Sequence, residues 1–242
     1  MPNLEAKDPA ERFDLAYLFA NGSQKEIKEL ADTAREIVPG VSARCAMVHV
    51  ADLPLLKQYL FGSSVRSEVV IDFPDGLGGL RAKGAEAKSA EESLADGGDP
   101  VVNLRYVVTR NRLAIIAECE VVKRHLREVK LITQIPYLWQ KDRDAIAWLL
   151  DLLPEAGIYC IKDWTTRQNF LLPLGEKLDV AMETRVRYTA FMAEYIEKHN
   201  LPLLIKIAGG IDATSARALV NAGADLLGIS YQKAKSVREA LL

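Results

Sequence analysis

Cysteine and histidine are scarce: three of each in 242 residues. Cys45, Cys119 and Cys160 lie far apart in the chain. None of their spacings suits a zinc site or a redox pair. An odd count of unpaired thiols predicts reduced, buried cysteines and a cytoplasmic location. His49, His125 and His199 show no ligand spacing either, so neither a metal nor a cofactor is expected. No apolar run approaches the roughly 20 residues of a membrane span. The opening residues, Met1-Pro-Asn-Leu-Glu-Ala-Lys-Asp8, lack the charged-then-apolar order of a signal segment. Charge of one sign is missing as well. The 31 lysines and arginines and 33 acidic residues are mixed along the chain and net to -2. A nucleic-acid partner needs a basic stripe, which is absent. Composition breaks and linkers are also absent, which predicts a single domain over residues 1–242.

What the chain has is a regular alternation. Short apolar stretches end near Leu18, His49, Phe73, Leu104, Ile135, Lys162, Ile207 and Ser230. Amphipathic patterns lie between them, and Ser23-Gln-Lys-Glu26 reads as a capping box opening the first. A strand alternating with a helix predicts an α/β chain with a parallel sheet. Eight such units without a break favour a closed (β/α)8 barrel, preceded by a short helical segment, over an open doubly wound sheet. The fourth strand is placed at Val101–Leu104, with Gly97-Gly-Asp-Pro100 before it.

Two of these strands end in lysine, which normally avoids burial unless paired. Lys162 closes Ile158-Tyr-Cys-Ile-Lys162, and Lys206 lies in Leu203-Leu-Ile-Lys206. Strand alternation puts Lys162 on the face of Ile158 and Cys160, and Lys206 on the face of Leu204 and Ala208. If both faces look into the barrel, two ammonium groups meet at one mouth, where repulsion and desolvation push one towards the neutral amine. A neutral amine forms an imine with a ketone or aldehyde, and the imine stabilises a neighbouring carbanion. The alternative for Lys162 is a pair with Asp163 outside the mouth. For Lys206 it is an ion pair with Asp99 or Asp14, which is compatible with a role as proton relay. Asp99 reads equally as a general acid/base and as part of an ordinary turn. Ala208-Gly-Gly-Ile211 and Gly228-Ile-Ser230 precede helical patterns and suit an anion cradle, although strand-to-helix turns use glycine too. Asp212, directly in that cradle, argues against a doubly charged ligand.

These residues, in this order, resemble the deoxyribose-phosphate aldolase family of metal-independent class I aldolases. The likeness runs from about Phe13 to about Ser230. It is carried by Val70-Ile-Asp-Phe-Pro-Asp-Gly76 with Lys83-Gly-Ala-Glu-Ala-Lys88, by Asp99-Pro-Val-Val-Asn103, by Ile161-Lys162, by Lys206-Ile-Ala-Gly-Gly-Ile211, and by Gly223-Ala-Asp-Leu-Leu-Gly-Ile-Ser230. The resemblance implies that Lys162 forms the Schiff base, that Lys206 depresses its pKa and moves protons, and that Asp99 works with Lys206. It also implies that Asp14 holds a substrate hydroxyl, with Arg167, Gly209, Gly210 and Ser230 completing the binding site. The family reaction cleaves 2-deoxyribose 5-phosphate to acetaldehyde and glyceraldehyde 3-phosphate.

The departures cluster at the phosphate end. After the reactive lysine the family has a threonine-serine-threonine-glycine run, and here the chain reads Asp163-Trp-Thr-Thr166. Asp212 stands where arginine is usual, Tyr231 replaces a serine, and Ala16 replaces a threonine. The expectation is a class I aldolase acting on a small aldehyde or ketone with an altered phosphate site. Competing readings are another lysine-imine lyase or transaldolase-like enzyme on a keto acid or sugar, a phosphosugar isomerase, and a non-catalytic metabolite-binding barrel. A homodimer fits a barrel of this size.

Overall fold

The computed structural model describes residues 7–173 and 175–242. Eight strands run in parallel: β1 Phe13–Ala16, β2 Cys45–His49, β3 Arg66–Ile71, β4 Gly97–Pro100, β5 Lys130–Ile132, β6 Cys160–Lys162, β7 Leu204–Ala208 and β8 Leu226–Ser230. Their order is β4-β3-β2-β1-β8-β7-β6-β5. Parallel bridges Gly98↔Val129 and Val101↔Ile132 bring β4 against β5 and close the ring. The fold is a (β/α)8 barrel, and the open sheet is excluded. Strands this short and buried on both sides read as nearly unbroken apolar runs, as Cys45-Ala-Met-Val48 does.

The helices are α1 Gln24–Arg35, α2 Leu53–Leu60, α3 Gly79–Glu92, α4 Leu104–Val108, α5 Arg112–Lys123, α6 Ile135–Lys141, α7 Asp144–Glu155, α8 Met182–His199, α9 Ala213–Asn221 and α10 Ala234–Leu241. The Ser23 capping box is present, and α1 buries Ile27, Leu30, Ala31 and Ala34 at helical spacing. Before β1 a single 3-10 turn, Pro9–Arg12, is all that the expected N-terminal helical segment amounts to among the described residues. No described helix is long and apolar enough to cross a membrane.

Two readings of the sequence are corrected. The fourth strand is Gly97–Pro100 rather than Val101–Leu104, and Leu104 opens a helix. Asp99 is therefore inside a fully buried strand, and the turn alternative falls. Glycine deceived the reading because it is rare inside strands. Here it is required: a Cβ on Gly97 would come within 2.8 Å of the Glu128 carbonyl, and one on Gly98 within 2.8 Å of Leu126. Helix α2, between β2 and β3, had no counterpart in the sequence reading. It has only eight residues and begins Leu53-Pro54, with the proline in the first helical turn, where it is tolerated.

Candidate active site

The inward positions of the strands carry charge. Asp14 (β1), Glu68 (β3), Asp99 (β4), Lys130 (β5), Lys162 (β6) and Lys206 (β7) are all buried. Strand register sets Lys162 directly beside Lys206. Lys162 Nζ donates to Asp99 Oδ2 at 2.9 Å, and Lys206 Nζ donates to the same oxygen at 2.8 Å. Lys130 Nζ lies 3.0 Å from the other oxygen, Asp99 Oδ1. Lys206 also meets Asp14 Oδ2 at 2.5 Å, and Lys130 pairs with Glu68. Asp14 Oδ2 and Asp99 Oδ1 have no partner at a hydrogen-bonding angle. The ammonium groups beside them compensate both oxygens by charge.

This arrangement separates the three lysines electrically. Burial works against the charge on every one of them. For Lys130, Asp99, Glu68 and Asp14 overcome burial and hold the amine well above its ordinary value. For Lys206, Asp14 and Asp99 do the same. Lys162 has only the shared Asp99. Burial, assisted by the Lys206 and Lys130 ammoniums, wins there and pushes its amine down. Asp99 is held low: burial opposes its charge, but Lys130, Lys162 and Lys206 outweigh it.

Below this layer the N-terminal end of the barrel is closed by charge. Arg44 Nη1 donates to Asp14 Oδ1 at 2.8 Å and to Glu68 Oε1 at 3.3 Å. Its Nη2 reaches Glu128 and the Tyr159 hydroxyl, and Arg66 Nη1 donates to Glu128 at 2.6 Å. Five basic groups, Arg44, Arg66, Lys130, Lys162 and Lys206, meet Asp14, Glu68, Asp99 and Glu128 in this cluster, and of the five Lys162 is the one whose charged form is pushed down. Asp14, Cys45 and Glu68 bring potential metal-ligand atoms within 4.8 Å of one another. Arg44, Lys130 and Lys206 already neutralise those carboxylates, so no net negative charge is left to hold a cation there. Burial pushes the Cys45 and Cys160 thiols up, which makes them inert.

Above the lysines a cavity of about 470 Å³ opens at the C-terminal ends of the strands. Asp14, Lys162, Arg167, Lys206, Gly209, Gly210 and Ser230 all line it. The residues singled out in the sequence thus fall in one place, with Asp99 beneath the two lysines. Met47 Sδ stands 3.9 Å from Lys162 Nζ. Tyr17, Phe19, Phe73, Trp164 and Tyr231 form an aromatic rim. Arg167 lies between two of these rings, 5.1 Å from the Phe19 centroid and 5.9 Å from that of Phe73.

Two carboxylates weighed in the sequence, Asp163 as a partner of Lys162 and Asp212 in the anion cradle, do not line this cavity. Asp163 does not pair with Lys162. It is turned behind the strands, where it accepts from the Ala208 and Trp164 amides, Arg185 and the Tyr188 hydroxyl. Asp212 caps α9, accepting from the Thr214 and Ser215 amides, and lies outside the cavity. Asp163 is paired with Arg185, and Asp212 is engaged as a helix cap outside the cavity lining, so neither stands inside the proposed anion cradle. Sequence reasoning missed Lys130, Glu68 and Arg44. Lys130 carried the same signal as the other two, a lysine inside an apolar strand (Val129-Lys-Leu-Ile132). Glu68 and Arg44 stand at strand beginnings and gave none.

No family model matches the chain. Individual relatives do. The chain is 29% identical over 231 residues to the deoxyribose-phosphate aldolase of Methanothermobacter thermautotrophicus, covering 94% of each. It is 27% identical to that of Mycoplasmoides pirum, covering 95% of this chain and 96% of the relative. Among solved structures, the aldolase QR15 superposes with a TM-score of 0.78 at 25% identity, over 98% of this chain and 96% of that one. The tetrameric deoxyribose phosphate aldolase of Aeropyrum pernix gives a TM-score of 0.73 at 25% identity, over 96% and 90%. With the barrel and its buried lysines, these likenesses make the chain a divergent relative of the deoxyribose-phosphate aldolases, an enzyme of the carbon–carbon lyase class.

Proposed function

We propose that the chain is a class I aldolase in which Lys162 is the Schiff-base residue. The observation that carries this reading is the division of labour among the lysines. Lys130 and Lys206 each have a carboxylate of their own, Glu68 and Asp14, and Lys162 has none. Its neutral amine adds to a carbonyl carbon, and loss of water gives the protonated imine. That imine draws electrons from the neighbouring carbon, whose proton leaves to form an enamine. Lys206 and Asp99, hydrogen-bonded to each other, are the groups placed to pass that proton. The enamine carbon then attacks an acceptor aldehyde, and hydrolysis frees the lysine. Cleavage runs the same steps backwards. Asp14 is assigned to a substrate hydroxyl.

The substrate we infer is 2-deoxyribose 5-phosphate or a close analogue, held through an altered anion grip. Arg167 is the grip's cation, and among the described residues it has no carboxylate partner. Gly209, Gly210 and Ser230 line the same end.

Borohydride trapping tests the reading. Incubation with acetaldehyde, acetone, dihydroxyacetone or pyruvate, then reduction, should give an adduct that maps to Lys162 and is absent from Lys162→Met. An adduct on Lys206 alone would reverse the two lysines. No adduct with any of these carbonyls would sink the proposal.

A further inference from the structure

Thr166 stands where the family resemblance places a glycine, and its backbone has a φ of 64°. A β-branched residue in the left-handed region is strained, and such strain persists only where the surroundings enforce it. Two contacts of its own, and one of its neighbour Arg167, surround this one. The Thr166 hydroxyl accepts from Arg167 Nη1 at 3.1 Å. Arg167 Nη2 donates to the Leu18 carbonyl at 3.0 Å, so the guanidinium is held at two points over the aromatic rim. On its other side, Thr166 Cγ2 fills the space that a Cβ on Gly209 would need. Gly209 itself has a φ of 76°. The two loops at the mouth, after β6 and after β7, interlock through this threonine. A glycine at 166 would remove both the hydroxyl and the methyl.

We propose that Thr166 is a positioning residue for anion specificity: its strained backbone holds a hydroxyl against Arg167 and so fixes the guanidinium for the anionic end of the substrate. The inference rests on the reading of Arg167 as the anion grip. It makes strain and specificity two consequences of one side chain. Relieving the strain should stabilise the fold and weaken the grip, a pair of opposite signs that a purely structural residue would not give.

The test uses Thr166→Gly, Thr166→Ser and Arg167→Ala, with melting temperature, calorimetric binding of inorganic phosphate, and KM for 2-deoxyribose 5-phosphate against 2-deoxyribose. In Thr166→Gly the melting midpoint should rise by about 2 °C. Loss of one charge-assisted hydrogen bond should weaken phosphate binding about five- to tenfold. KM for the phosphorylated sugar should rise to match, while KM for 2-deoxyribose stays within twofold. Thr166→Ser keeps the hydroxyl and should restore phosphate affinity. A fall in melting temperature in Thr166→Gly overturns the strain argument. Unchanged phosphate affinity in Thr166→Gly, with a loss of tenfold or more in Arg167→Ala, overturns the positioning role and leaves the grip standing. Unchanged affinity in both, or no phosphate binding by the wild type, removes the grip and this inference with it.

Discussion

Lys162 has fewer carboxylate partners than Lys130 or Lys206, and that difference lets burial push its pKa down. A protonated lysine cannot attack a carbonyl, so imine formation should fall as pH drops through the depressed Lys162 pKa, about tenfold per unit below it. The midpoint should lie below the ordinary lysine value of 10.5. Initial trapping rates across a pH series check this, and a midpoint at or above that value would contradict the assignment. Lys130 is the complementary case. Its removal leaves the buried Glu68 with Arg44 and Arg66 on Oε1, at 3.3 and 3.2 Å, and takes away the ammonium on Oε2. Breaking a buried pair by deleting one partner costs about 3–5 kcal/mol. Lys130→Met should therefore lose about that much in denaturant unfolding, whereas Lys130→Arg should lose less. The inward direction of Lys162 and Lys206 was legible, because alternation along a strand follows from local geometry. Lys130 was equally legible and was overlooked. Glu68 was not, since a glutamate at the start of a strand is normally solvated.

Elements decide where side chains lead. Asp212 reads in the sequence as a carboxylate in an anion cradle. As the N-cap of α9 its Oδ1 accepts from both the Thr214 and Ser215 amides instead. Asp212→Ala should lower the melting temperature by a few degrees and leave KM for a phosphorylated substrate unchanged. A lower KM would return Asp212 to the site. Asp163 is a parallel case, since its position after β6 turns it to Arg185 on α8. The loop after β3 is held in the same manner. Lys83 on α3 donates to Asp72 at 2.7 Å, to the Gly76 carbonyl at 2.8 Å and to Glu118 at 3.0 Å, fixing the segment that presents Phe73 to the cavity. The alternation of strands and helices could be read directly, as could the capping box of α1. The frame of β4 and the existence of α2 could not. In both, a glycine or proline served close packing or a helix start, while its local preference signals a turn.

At the scale of the whole molecule the barrel is stapled by charge along its axis, from Arg66 and Glu128 at the floor to Lys162 at the mouth. Its stability should depend on acid. Asp14 and Asp99 have folded pKa values below the ordinary 3.8, through Lys206, Arg44 and Lys130 acting against burial. A carboxyl depressed on folding stabilises above its unfolded pKa and loses that contribution as pH falls towards the folded value. Unfolding free energy measured between pH 7 and pH 3 should hold to about pH 4 and then decline steeply. A flat profile would show that these carboxylates are not charged in the native state.

The sequence by itself determined the class of fold, the strand ends that bear lysine, and the family resemblance, because each is written in local order and spacing. Only the tertiary structure decided which lysine is poised to lose its proton, and that Asp163 and Asp212 stay clear of the cavity. It alone brought the strained Thr166 beside Gly209 and revealed Glu68 and Arg44 as partners. Those outcomes depend on Coulomb and packing contacts between strands far apart in the chain, and barrel closure creates them.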